Sequence, residues 1–314
     1  MRKAALLYNP DSGGSKQRQQ ELESALTVLR NGGVEADLVP TESPHHAVEE
    51  TRRAIASGCD TIFACGGDGT VHNIVQVLAN TPTALAILPI GTANALAHDL
   101  GIPLNVARAA KASLRSTLRR VALGRVAYTD VHNNPCSRYF VIAAGVGVDA
   151  HLFYKLRAGT KQRMGMAAYY FKAWHLWFSY PMTRFVAEYI PTGTNAPQQA
   201  EVTELMAIRI QNFGGVLQEL APGASLDRDD MRLVFCRTAS RLAYLAYVTR
   251  GFLRLPWTIP GIDLAHSTRV SCRYQSTSQP TRKIYVEADG ELLGTLPVEI
   301  TVVPNALTLL APAR

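Results

Sequence analysis

Along the first third of the chain, short unbroken apolar runs alternate with longer stretches of helical spacing. Residues 4–8 read as a buried strand, 9–14 as a turn, and 15–30 as a helix with Leu22, Leu26 and Leu29 on one face. Asn31, Gly32 and Gly33 stop that helix. Residues 34–39 predict a second strand, and Thr41 and Ser43 precede a helix through Ile55. A third strand over 61–65 runs into Gly66, Gly67, Asp68, Gly69 and Thr70. Val71, Ile74, Val75 and Leu78 then keep helical spacing, and a fourth strand over 84–88 ends at Pro89, Ile90, Gly91 and Thr92. Strands this apolar, alternating with helices, predict an α/β fold whose parallel sheet is covered on both faces.

The pattern changes near residue 121. Shorter, often alternating runs follow at 138–144, 184–190, 204–210, 231–235, 268–272, 283–287 and 298–303, separated by turn residues. They predict a β-rich second domain. Helical spacing returns near 162–178 and 238–254, and residues 191–200 and 275–282 read as polar loops. The division expected is 1–125, with a tail at 304–314 returning to it, and 126–303.

Composition narrows the classes. The chain has 314 residues, 47% hydrophobic, enough for about two domains at roughly 150 residues each. Its net charge of +7 suits an anionic membrane or a phosphorylated ligand, and no block of like charges marks a nucleic-acid partner. Five widely spaced cysteines without a CxxC argue against a disulfide framework or a zinc site and for a reducing compartment. No run of about 18 apolar residues predicts a transmembrane helix, and the expected location is the cytoplasm.

Three glycine-rich turns sit where strands meet helices: 9–14, 66–70 and 91–94. Open α/β sheets bind ligands beyond the carboxyl ends of their strands, and glycines with helix N-termini accept phosphate. One such turn is ordinary strand–helix chemistry; three on one edge predict a phosphate cleft. Asp68 among phosphate-binding amides implies a cation, supplied by Mg2+ on a nucleotide, or else a local turn bond to its own backbone. The chain has no GxxxxGKS/T, HRD or DFG, which excludes a P-loop enzyme and a protein kinase.

These motifs, taken together, resemble the diacylglycerol kinase catalytic-domain family, which includes bacterial lipid kinases, sphingosine kinases and ceramide kinases. The carriers are Asn9, Pro10 and Gly13; the GGDGT of 66–70; and Pro89 to Asn94. Further along, Asp130, Phe140 and the GVGVDA of 145–150 resemble the family's "D…F…GxGxDA" stretch. Asn212, Gly214, Gly215 and the APGA of 221–224 resemble its "N…GG…aPxA" stretch, and Asp289, Gly290 and Glu291 its late DGE motif. GGDGT by itself also occurs in NAD kinases.

The resemblance implies a Rossmann-like nucleotide domain followed by a β-sandwich, with the active site between them. ATP would be held by Asn9, Pro10, Gly13, Thr41, Gly66, the loop of Gly67, Gly69, Thr70, Val71, His72 and Asn73, and by Gly91, Thr92 and Asn94. Asp68 would act on the phosphates through Mg2+. Glu291 would be the general base for a lipid hydroxyl, with Asp289 and Asp130 close by. From the residues alone, 288–291 is equally a hairpin turn. Three positions depart from the family pattern: Asn73 where many members carry Glu, Ala95 where many carry Asp, and Arg228 on the aspartate of a structural Mg2+ loop. Asp227 or Asp229 would then have to take over that metal.

Aromatic residues interleave with basic ones in 164–182 and 241–257, which suits a membrane interface, core packing or a homodimer contact. His45 and His46 are adjacent and cannot share a helix face. His72 and His98 flank the glycine turns. The expectation is an ATP- and Mg2+-dependent lipid kinase, peripheral on an anionic membrane, with diacylglycerol first and a sphingoid base or ceramide next. The alternatives are a catalytically impaired lipid- or nucleotide-binding protein, and an NAD kinase or phosphofructokinase-like soluble kinase. The Asn-Thr-Asp stretch of NAD kinases is absent.

Overall fold

In a computed structural model, the structure describes residues 1–10, 16–130, 134–148, 182–214, 220–253, 258–275 and 282–313. The chain forms two compact units. The first holds Met1–Leu123, Asn212–Val216 and Val303–Arg314, the second Gly124–Gln211 and Leu217–Val302.

The first unit alternates β1 (Lys3–Tyr8), α1 (Lys16–Asn31), β2 (Glu35–Pro40), α2 (Pro44–Ala56), β3 (Thr61–Gly66), α3 (Asp68–Leu78) and β4 (Ala84–Pro89). Two short helices, α4 (Ala95–Asp99) and α5 (Val106–Ser113), follow. The sheet order is β2-β1-β3-β4, all parallel, and Thr308 and Leu309 add the end of the last strand beside Ala84 and Leu85 of β4. β4 is buried along its whole length and β3 nearly so, as helices on both faces require. Ser43 caps α2 by accepting the His46 N–H, and Pro44 opens that helix. Helix α1 packs on α5 and α2 on α3. The chain goes from β1 outward to β2 and then returns across β1 to β3. That reversal puts a crevice at the carboxyl ends of β1 and β3.

The second unit is antiparallel. It holds β6 (Pro135–Phe140), β7 (Ala143–Gly147), β8 (Phe185–Pro191), β9 (Gln198–Val202), β10 (Glu204–Ile208) and β11 (Met231–Cys236). After α6 (Arg241–Leu253) come β12 (Ile262–Arg273), β13 (Tyr285–Ala288) and β14 (Glu291–Ala311). β5 (Thr117–Thr129) starts in the first unit and β14 ends there. The pairings run β13-β7-β10-β11-β12, and β14 then joins both ends, through Leu292–Thr295 on β13 and Val298–Thr301 on β12. Hydrogen bonding therefore closes a ring of β13, β7, β10, β11, β12 and β14, where the expected sandwich would have two separate sheets, while β8 and β9 branch from β12 and β6 from β5 to end in edges. Phe140, Phe185, Leu205, Leu233, Phe235, Val286 and Ile300 fill the interior.

Two expected elements changed. The run read as one strand over 138–144 is two strands, broken at Val141 and Ile142. The polar loop of 191–200 ends inside β9. The helical stretch near 162–178, with its aromatic residues through Tyr180, lies outside the described residues. All five cysteines are free thiols. Among the described residues no helix is long and apolar enough to cross a membrane.

Candidate functional site

The first unit collects the N-terminal motifs at one sheet edge. Thr41 leaves β2 buried, and its N–H and hydroxyl both bond the Tyr8 carbonyl, at 2.7 and 3.1 Å. Asn9 and Pro10 follow Tyr8 directly, and Tyr8 is paired with Cys65. Gly66 pairs with Pro89, and the Ile90 N–H bonds the Gly66 carbonyl at 3.1 Å. The ends of β2, β1, β3 and β4 are thereby placed side by side. Gly13 lies outside the described residues.

The second and third glycine turns press together. A Cβ on Gly91 would stand 2.4 Å from the Gly67 Cα and 2.9 Å from its nitrogen, so Gly91 has no room for a side chain, and a Cβ on Gly67 would be tight against the Gly91 Cα at 3.2 Å. Gly67 is also the N-cap of α3 and offers no capping side chain. The positive end of α3 is thus left without a side-chain oxygen at its cap, an arrangement that suits an anion. Thr70 packs its side chain over Gly66, where a Cβ would come within 2.2 Å of its Oγ1. Val71 and His72 are buried on α3, and Asn73 is half-buried. His72 therefore belongs largely to the packing of the helix.

Asp68 reaches across to the third glycine turn. Its Oδ2 accepts the Ala95 N–H at 3.2 Å and its Oδ1 the Leu96 N–H at 3.4 Å, so it ties α3 to the start of α4. Ala95 is buried at that junction. Asn94, just before it, has a left-handed backbone (φ 49°). Its Nδ2 donates to the Gly91 carbonyl at 2.8 Å, while its Oδ1 is buried without a hydrogen-bond partner. A buried orphan oxygen beside a glycine turn is the kind of group a bound ligand satisfies. Thr92 lies in the bend between them, exposed, next to half-buried Gly91. Hard oxygens at Asp68 and Asn94, a helix start whose cap is a glycine and two fused glycine turns fit nucleotide phosphates with Mg2+.

Residues from the second half of the sequence join this unit. The Asn212 N–H bonds Asp99 Oδ1 at 2.9 Å, the Gly214 N–H bonds Asn212 Oδ1 at 2.9 Å, and Gly214 lies against the His98 ring. Gly215 is outside the described residues.

The second unit holds the remaining candidates. Asp289 and Gly290, with φ of 48° and 81°, form the two-residue turn between β13 and β14. The hairpin read from the sequence is real, and it carries more than a turn. Asp289 Oδ2 accepts the Val141 N–H at 3.0 Å, and Oδ1 accepts those of Ile142 and Ala143 at 2.9 and 3.1 Å. The Asp289 N–H returns a bond to the Ala143 carbonyl at 2.8 Å. That carboxylate therefore satisfies the backbone at the break between β6 and β7. Buried Glu287 accepts the Gly290 N–H at 2.7 Å, which fixes the turn from its other side. Glu291 then opens β14, partly exposed.

Asp130 ends β5 by closing the 130–134 loop: its Oδ1 accepts the Asn134 N–H at 2.8 Å. Gly294 of β14 lies against Tyr128 and the Thr129 carbonyl, which brings the strand carrying Glu291 to the end of β5. Asp130, however, follows Thr129 at the Pro135 end of the β5–β6 pair, whereas Asp289 bonds Val141, just past Phe140 at its Gly124 end, so these two carboxylates lie toward opposite ends of that pair.

Asp227 and Asp229 are exposed and are not brought together as metal ligands; the buried carboxylate of that loop is Asp230. Among the described residues no three His, Cys, Asp or Glu side chains group to hold a metal. The sequence reading passed over Arg209, wholly buried at the end of β10, whose guanidinium organises this loop. An arginine inside the apolar run 204–210 was the available signal. In α6, Tyr244 and Leu245 pack against Val148, Tyr244 donates to Glu204 Oε1 at 2.9 Å, and buried Tyr247 donates to the Leu220 carbonyl. These aromatics serve the core, while Leu242 stands 78% exposed.

Comparison with known proteins agrees with the motifs. Residues 3–126 match the family model described as the diacylglycerol kinase catalytic domain. The diacylglycerol kinase of Bacillus subtilis (strain 168) is 28% identical, covering 95% of this chain and 93% of its own length. The crystal structure of a diacylglycerol kinase from Bacillus anthracis str. Sterne superposes with a TM-score of 0.68 at 17% identity, over 99% of this chain and 96% of that one. Yeast NADH kinase complexed with NADH superposes with a TM-score of 0.53 at 11% identity, over 99% and 84%. At these identities the two structures are likenesses of fold. The family recognised from the motifs is therefore the one that the comparisons return: residues 3–126 match the diacylglycerol kinase catalytic domain, and relatives of that name extend along nearly the whole chain.

Proposed function

We propose that this protein is an ATP- and Mg2+-dependent lipid kinase that phosphorylates the hydroxyl of a membrane lipid, diacylglycerol first and a sphingoid base or ceramide-type lipid next. The observation that carries the reading is the fusion of the Gly67 and Gly91 turns at the glycine-capped N-terminus of α3, inside the stretch that matches the diacylglycerol kinase catalytic domain.

The first unit supplies the nucleotide side. Backbone amides at Gly67 and after it, with Thr41, Asn9, Pro10, Thr92 and Asn94, bind the phosphates. Asp68 and Asn94 present oxygen to the cation. When bound, Mg2+ neutralises charge on the nucleotide phosphates. In the second unit, Glu291 accepts the proton of the lipid hydroxyl as that oxygen attacks the γ-phosphorus of ATP, the bond to the β,γ-bridging oxygen breaks and ADP leaves. Asp289 and Asp130 are positioning residues: the first holds the hairpin and the second closes the end of β5. The net charge of +7 favours peripheral attachment to an anionic membrane surface, on its cytoplasmic side.

The test is transfer from γ-labelled ATP to diacylglycerol, monoacylglycerol, sphingosine and ceramide in mixed micelles, with NAD and fructose 6-phosphate as soluble controls. One lipid is expected to be labelled, and Glu291→Gln is expected to abolish it. Labelling of a soluble control alone would overturn the lipid reading. ATP binding without transfer to any acceptor would point to a binding protein.

A further inference from the structure

The family resemblance implies a structural divalent cation in the loop after Ala224, and the residues there do not fit one. Arg209 is wholly buried, and its guanidinium donates to the carbonyls of Leu226 (3.5 Å), Arg228 (2.8 Å) and Asp230. Carbonyl oxygens of a single loop thus converge on a cation that the chain itself provides, a fork of N–H donors. Arg228 turns back along the same loop. Its Nε donates to Asp230 Oδ1 at 2.6 Å and its Nη2 to Oδ2 at 2.7 Å, a bidentate pair. Thr192 adds a bond to Oδ2 at 3.0 Å, and His266 Nδ1 lies 3.2 Å from Oδ1.

Both oxygens of buried Asp230 are therefore engaged, by Arg228 of the same loop and by Thr192 and His266 from outside it. Burial works against charge on Asp230, yet its carboxyl lies below the ordinary range because of Arg228, Thr192 and His266. Burial pulls Arg209 down to about 10, which still leaves it charged at neutral pH. Mg2+ needs near-octahedral oxygen ligation at about 2.1 Å, and a guanidinium held among the carbonyls opposes it by charge and by space.

We propose that Arg209 and Arg228 take the place of a divalent cation as the groups that order residues 225–230, so that folding of the second unit does not depend on metal. The proposal concerns the order of this loop and stands apart from the lipid kinase reading, in which Mg2+ travels with the nucleotide.

The experiment is thermal unfolding of the full chain without nucleotide, in excess EDTA and then in Mg2+ or Ca2+. The parent chain is expected to unfold at the same midpoint in all conditions. Arg209→Met removes a wholly buried cation and is expected not to fold, so Arg228→Ala, at a partly exposed position, carries the test. It is expected to lower the midpoint by about 2–6 °C, equally with and without metal. A parent midpoint that falls in EDTA and returns with Mg2+ would overturn the proposal, and so would an unchanged midpoint for Arg228→Ala. Manganese titration followed by electron paramagnetic resonance gives a second readout. No stoichiometric Mn2+ is expected on the nucleotide-free chain, and one tightly bound ion that Arg228→Ala leaves in place would overturn it.

Discussion

Gly67 and Gly91 meet backbone to backbone, with no room at Gly91 for even a methyl group. The contact joins two turns that are 24 residues apart in sequence into one surface. An alanine at Gly91 must push the β3–α3 turn away from the β4–α4 turn. Gly91→Ala is expected to cost about 1–3 kcal/mol by overpacking. It is also expected to weaken ATP binding beyond what the stability loss explains. Urea unfolding and calorimetric ATP titration, run side by side, separate the two effects. An ATP affinity equal to the parent's would remove this surface from the nucleotide site.

Asp289 and Glu291 are two residues apart and are expected to fail in different ways. Asp289→Ala removes the acceptor of the Val141, Ile142 and Ala143 N–H groups. Unpaired buried donors cost about 1–3 kcal/mol each, less where water reaches them, so a loss of about 2–4 kcal/mol is expected. Glu291→Gln keeps the strand intact and is expected to change stability by less than about 0.5 kcal/mol while abolishing transfer. Denaturant midpoints and labelled-ATP assays on both variants decide this. A Glu291→Gln enzyme with parental turnover would end the assignment of Glu291 as base.

Asp68→Asn keeps an acceptor for the Ala95 and Leu96 N–H groups but loses the charge. Those bonds are long, at 3.2 and 3.4 Å, so stability is expected to fall by less than about 1 kcal/mol. Turnover is expected to drop about 10²-fold or more, with the loss concentrated in the response to Mg2+. A variant with normal Mg2+ dependence would leave Asp68 only its tie to α4.

His266 is expected to make stability fall in mild acid. Burial disfavours its imidazolium, Arg232 and Arg228 add to this, and Asp230 opposes it; the net effect holds the group below its ordinary 6.5. The unfolded chain takes up the proton first. Stability is therefore full above about pH 6.5 and declines as pH drops through that value, until the folded imidazole also protonates. Urea midpoints at about pH 7.5 and 5.5, the latter still above the carboxylate range, should show the decline. His266→Gln should make it shallower. An equal decline in the variant would place its cause elsewhere.

The parallel sheet was legible because β3 and β4 are buried on both faces and read as unbroken apolar runs. β5 escaped because Arg119 and Arg120 interrupt its pattern, and Arg120 spends its guanidinium on the Thr81 carbonyl, the Asn305 carbonyl and Thr308 Oγ1. The break at Val141 and Ile142 left no trace in an apolar stretch, because its cause, Asp289, lies nearly 150 residues away. The glycine turns announced themselves, but their mutual contact depends on the β3–β4 register and cannot be read along the chain. Arg209 was hidden for a similar reason: its partners are carbonyls, which any residue can supply.

The last strand carries a consequence for how the protein is made. β4 has β3 on one side and, on the other, Thr308 and Leu309, with Leu307 and Leu309 fully buried. The Asn80 N–H reaches forward to the Ala306 carbonyl, and Arg120 to Asn305. During synthesis, everything from Met1 to Leu123 leaves the ribosome with the edge of β4 uncovered, and it stays so while nearly two hundred further residues are translated. An apolar parallel strand in that state invites pairing with another chain. The segment that matches the catalytic domain therefore lacks the strand that covers β4, and expressed alone as 1–126 it is expected to aggregate more readily than the full chain.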